Sequence, residues 1–79
     1  MAKLGQNLIG KRVKQARADA QPRITQEELS KRLSDLGVYV DRAGVAKIET
    51  GIRGVLDYEA VALAIALNVK ITWLLGVKE

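Results

Sequence analysis

Apolar residues along this chain return at intervals of three and four, and residues that end helices interrupt the pattern. From Leu8 to Ala20, Ile9, Val13, Ala16 and Ala20 share one helical face, while Lys11, Arg12, Lys14 and Arg17 occupy the remainder. The tripeptide "QPR" at 21–23 closes this first helix, because proline holds the preceding residue extended and has no N–H to continue the ladder. "ITQEEL" then carries a set of helix-start signals: Thr25 as N-cap, Glu28 to complete a capping box, and Ile24 set to pack on Leu29. The second helix begins at Gln26, buries Leu29, Leu33 and Leu36, and ends near Leu36 ahead of Gly37.

After "VYV", Asp41 is a good N-cap, Val40 and Val45 stand in staple positions, and Gly51 follows Thr50, so a third helix spans 42–50. A fourth starts at Asp57, with Leu56 and Val61 as its staple, and runs through "AVALAIAL" to Asn68. Its broad apolarity predicts burial on most sides. "ITWLLG" gives a short fifth helix from Lys70 or Ile71 to Leu75. No strand-like alternation competes, so the expected fold class is all-α, a five-helix bundle forming a single domain over 1–79.

With no cysteine, such a bundle must hold together by aliphatic packing. The absence of histidine as well removes the usual general base, nucleophile and zinc ligands, so no enzyme, metal or cofactor is expected. The apolar runs fall short of the ~20 residues of a bilayer span, and "MAKLGQNLIGKR" lacks the apolar centre of a signal peptide. A soluble, cytoplasmic protein with no membrane partner is the expectation. Charge is uneven: residues 1–32 hold eight Lys or Arg against three acids, whereas residues 33–79 hold five against six. A basic first part suits a polyanion as well as it suits solvent.

The third helix favours the polyanion. Val45 and Ile48 point to the core, which leaves Arg42, Ala43, Ala46, Lys47 and Thr50 outside: two cations, two small residues, a hydroxyl and no acid. An ordinary solvent-facing helix mixes acids and bases one turn apart. A narrow basic helix following another capped helix is what insertion into a major groove requires.

"IGKRVKQAR", "TQEELSKRL", "GVAKIETG" and "ALNVKITWLLG" together resemble the phage repressor and Cro, or xenobiotic-response-element, family of helix-turn-helix regulators, over Ile9 to Gly76. The resemblance implies a lambda-repressor-like bundle that binds double-stranded DNA, with Arg42, Ala43 and Lys47 at base edges. Gln26 would hold a phosphate, assisted by the free amides of its helix terminus, and Thr50, Arg53 and Lys11 are expected at phosphates too. Arg42 suits guanine O6 and N7, whereas Ala43 offers a methyl contact. The resemblance also pairs Arg17 with Glu49 in a structural ion pair.

Two features depart from the family pattern. Eleven residues separate Leu33 from Val45, about five more than the compact motif has, and Asp41 puts a negative charge where a neutral hydroxyl is common. One module buries little DNA surface, so a homodimer on a palindromic operator is expected, with Ile71 to Val77, including Trp73 and Leu74, as its interface. The alternative is a protein-interaction module on the same scaffold: an antitoxin, anti-repressor or bridging factor.

Overall fold

Five helices stand where the apolar spacing puts them: α1 Gly10–Asp19, α2 Gln26–Asp35, α3 Arg42–Glu49, α4 Asp57–Leu67 and α5 Ile71–Leu75. The computed structural model describes residues 7–77, among which there is no strand, and the architecture is the all-α, lambda-repressor-like helix-turn-helix bundle. Val13 from α1, Leu29 and Leu33 from α2, Val45 and Ile48 from α3, Leu63 from α4 and Leu74 from α5 meet in a fully buried core. Each such side chain removed from water contributes about 1.5–3 kcal/mol, and these take the place of any disulfide. α3 packs on α1 and α2, whereas α4 packs on α1, α2 and α5. One side of α3 is thereby left uncovered.

The ends of α2 to α5 share one device. The N–H of the residue that follows a left-handed one returns to the carbonyl five residues back, as Val38 to Leu33 (2.9 Å), Ile52 to Lys47 (3.0 Å), Val69 to Ala64 (3.0 Å) and Val77 to Thr72 (2.9 Å). This Schellman closure needs a left-handed residue between, supplied by Gly37, Gly51, Asn68 and Gly76 with φ of 82°, 80°, 56° and 74°.

Two expectations are corrected. Leu36 is 45% exposed; as the α2 C-cap it turns outward, and Val38, carried back by the closure, packs on the core in its place. The α2 capping box is half made. Thr25 Oγ1 accepts from Glu28 N at 3.0 Å, but the Glu28 carboxylate accepts instead from Arg32, one turn on, at 3.4 Å. α4 starts at Asp57, as expected, with Leu56 as its N-cap, whose N–H donates to the Glu59 carboxylate at 3.0 Å. Leu56 and Val61 are both exposed, and Tyr58, Val61 and Ile65 form one exposed stripe, while the remaining sides of α4 are buried as its apolarity predicts.

α1 starts at Gly10 because Asn7 Oδ1 accepts the amides of Ile9 (3.0 Å) and Gly10 (2.7 Å). The same carboxamide donates to the carbonyls of Ile48 (3.0 Å) and Arg53 (2.9 Å), drawing the start of α1 onto the end of α3. Contact there is so close that a Cβ on Gly10 would fall on the Ile48 carbonyl, with that of Glu49 3.0 Å away. Both obstacles are backbone and cannot rotate aside. We therefore expect Gly10→Ala to destabilise the fold by about 1–3 kcal/mol. Urea melts measure this, and an unchanged midpoint would contradict the close approach.

Candidate nucleic-acid interface

α3 is fixed at its start by Asp41, whose Oδ1 accepts from Gly44 N at 2.7 Å, and inward by the fully buried Val45 and Ile48. Arg42, Ala43, Lys47 and Thr50 are exposed together on its opposite side, with Ala46 half-buried beside them. The small alanines leave Arg42 and Lys47 as the only long side chains of this helix's outer face. The face thus combines low bulk, positive charge and no carboxylate, which suits close approach to a groove lined by phosphates.

The orientation of α3 rests on one buried carboxylate. Glu49 Oε2 accepts from Arg17 Nε at 2.6 Å and Oε1 from Arg17 Nη2 at 2.9 Å, a bidentate pair with both side chains under a tenth exposed. Gln26 Nε2 donates to the same Oε1 at 3.0 Å, and Arg17 Nη1 donates to the Ile24 carbonyl at 3.0 Å. α1, the link to α2, the first residue of α2 and the last of α3 are therefore joined at one point. The hydrogen bonds from Glu49 push the Arg17 guanidinium above its ordinary pKa, against the opposing effect of burial. No described buried side-chain nitrogen or oxygen lacks a partner, which is the condition under which a buried charge is tolerated.

The cations sort into two groups. Arg42, Lys47, Lys11 and Arg23 have no acidic partner among the described residues. Arg42 shares an open hollow with Arg17, Arg23, Thr25, Gln26 and Glu27, which brings the expected base reader beside the expected phosphate holder. Lys11 and Thr50 line a second hollow, with Asn7, Gly10 and Gly51. Arg53 differs from the expectation: its Nη1 and Nη2 donate to the two Glu59 oxygens at 2.9 Å each. These bonds raise the arginine's pKa and hold the Glu59 carboxyl below the usual glutamate range. Its charge is offset, so its evident work is to tie the segment after α3 to the start of α4. Gln26 is likewise partly committed, to Glu49, and Thr50 Oγ1 turns back to the carbonyls of Ala46 and Lys47, each at 3.2 Å. What remains open at the α2 start is the backbone amides of Gln26 and Glu27, the groups that favour an anion.

Three residues were not anticipated. Arg23 joins the hollow around Arg42; a cation two places before the Thr25 N-cap was the available signal. Asn7 clamps α1 to α3, and an Asn three residues ahead of a helix is a known way to occupy its free amides. Glu59 fixes Arg53, and its place three residues past the α4 N-cap gave the hint. Within the expected pairing segment, Leu74 is fully buried and Trp73 is half-buried, with the Arg12 guanidinium 5.0 Å from its ring centroid, while Leu75 and Val77 are exposed. Tyr58, Val61 and Ile65 of α4 are exposed as well.

We expect Glu49→Ala to cost about 3 kcal/mol, because it strands the Arg17 charge and unbinds Gln26 together. Urea melts of Arg17→Ala, Glu49→Ala and the double variant check it: the double variant should lose clearly less than the sum, and additive losses would contradict a coupled pair.

No helix of the described residues is long and apolar enough to cross a membrane. Comparison with curated proteins and with solved structures finds no match. A helix-turn-helix family model does match, over residues 13–74, which takes in α2, the link, α3 and the flanking helices that hold them. By that match and by the geometry of its α2–α3 pair, the chain belongs to the Cro/C1-type helix-turn-helix family, a family of DNA-binding regulators.

Proposed function

We propose that this chain binds double-stranded DNA sequence-specifically as a transcriptional regulator, with α3 in the major groove and α2 across the backbone. The observation that carries this reading is the outer face of α3: Arg42, Ala43 and Lys47 exposed, without a neighbouring acid on that face. Arg42 is the base reader, since a guanidinium can take guanine O6 and N7 with two hydrogen bonds. Ala43 offers a methyl contact, and Lys47 reaches guanine or phosphate. Lys11, Arg23 and the open amides at the α2 start hold phosphates, with the Gln26 side chain orienting that terminus through Glu49.

A single α3 reads only a few base pairs, so the proposal includes a symmetric pair of chains on a palindromic operator. The exposed stripe of Tyr58, Val61 and Ile65, at spacings of three and four along α4, supports pairing. Because α4 packs chiefly on α1, α2 and α5, this stripe stays free while α3 is occupied. The same stripe is what favours the second reading, a protein-interaction module, and it is compatible with the first because the two surfaces lie on different helices.

The test is selection of bound sequences from a random duplex pool, followed by titration at several salt concentrations. A dimer making several phosphate contacts should show a log-log slope of roughly −4 to −8. On the selected duplex, Arg42→Ala should cost about 1–3 kcal/mol and relax selectivity at one base pair per half-site. Equal weakening on selected and scrambled duplexes would remove Arg42 as a base reader, and no duplex binding at low salt would overturn the DNA reading as a whole.

A further inference from the structure

The six residues linking α2 to α3, numbers 36–41, are where the chain is longer than the compact motif, and they are firmly held. Val38 N donates to the Leu33 carbonyl at 2.9 Å, and Ser30 Oγ donates to the Val40 carbonyl at 2.6 Å. Val40 is buried and sits against α3 so closely that a Cβ on Gly44 would come within 2.8 Å of its Cγ1. Asp41 then caps α3. In an extended "VYV", alternate side chains point opposite ways, so seating Val38 and Val40 inward aims Tyr39 outward. It is 80% exposed, the most exposed large hydrophobic residue of those described.

Tyr39 stands three residues before Arg42 and lines an open hollow with Ser30, Ser34, Asp41, Gly44 and Arg53. No residue of this hollow belongs to the one that holds Arg42. Arg42 and Gly44 are two positions apart, about 200° around the helix axis, so the two hollows flank α3 on opposite sides. With α3 in a groove, Arg42 approaches one wall and Tyr39 the other. The second flank is net negative: Asp41 contributes a carboxylate, and the Arg53 charge is offset by Glu59. A phosphate is therefore disfavoured there, whereas an aromatic ring on a fixed backbone loses little freedom on burial.

Resting on the DNA reading above, we infer that Tyr39 is a further DNA contact, packing its ring on aliphatic C–H surface at the groove wall opposite Arg42. That surface is either a thymine methyl or a deoxyribose. The inserted loop thus adds a neutral, apolar grip to a module whose other contacts, the Ala43 methyl apart, are cationic or polar.

The test uses the full chain and the duplex that it selects from a random pool. Tyr39→Ala and Tyr39→Gln should each weaken binding about tenfold while leaving the salt slope unchanged, because no cation is removed. Tyr39→Phe should bind as the unsubstituted chain does, and urea melts of all three should match it. Replacing thymine by deoxyuracil in the duplex assigns the source: a matching loss that vanishes in Tyr39→Ala identifies the methyl, and no loss identifies the sugar. Unchanged duplex affinity in both Tyr39→Ala and Tyr39→Gln would overturn the inference and leave the DNA reading intact. Failure of the unsubstituted chain to bind any duplex at low salt would overturn both.

Discussion

The bidentate pair between Arg17 and Glu49 is the constraint on which the rest of the surface depends. A helix of eight residues, Arg42–Glu49, is too short to be stable alone in water, and only Val45 and Ile48 anchor it by apolar burial. Two apolar contacts fix which side faces in, but they leave it free to roll and slide. Glu49 removes that freedom by binding α1 through Arg17 and the α2 start through Gln26. At the same end Asn7 holds the Ile48 carbonyl. One buried carboxylate therefore sets where Arg42 and Lys47 stand relative to the open amides of α2. Such a pair adds little net stability compared with apolar packing, yet removing one partner is costly, which suits a role in orientation.

The charged residues follow from this division of labour. Arg17 and Arg53 are spent internally on Glu49 and Glu59, and both fix the backbone on either side of α3. Arg42, Lys47, Lys11 and Arg23 carry no such burden among the described residues. The outer face of α3 consequently presents cations, with the carboxylates of Glu27 and Asp41 on its flanks, while α4 displays an apolar stripe elsewhere. The charge excess of the first 32 residues overstates the basic surface, since Arg17 is buried against Glu49, which lies outside that stretch.

Helix positions were legible in the sequence because caps and apolar spacing act locally: Thr25, Asp41, Gly37, Gly51 and Gly76 each mark an end in the structure. The outer face of α3 was legible for the same reason, as Val45 and Ile48 alone determine which side is buried. What escaped depends on distant partners. Arg53 read as a free cation because Glu59, six residues on, meets it only after the chain turns into α4. Leu74 read as part of a pairing surface because nothing local reveals that it completes the core. Leu36 fits the helical period and is nonetheless outside it, since the closure at Gly37 substitutes Val38.

The central claim is that the exposed side of α3 is the surface that meets duplex DNA. Amide chemical shifts recorded during titration with a selected duplex at low salt test it most directly. The largest changes are expected at Arg42, Ala43, Lys47 and Thr50, with a second group at Gln26 and Glu27, where the α2 amides are open. Changes confined to α4 and α5, with α3 unmoved at saturation, would contradict it.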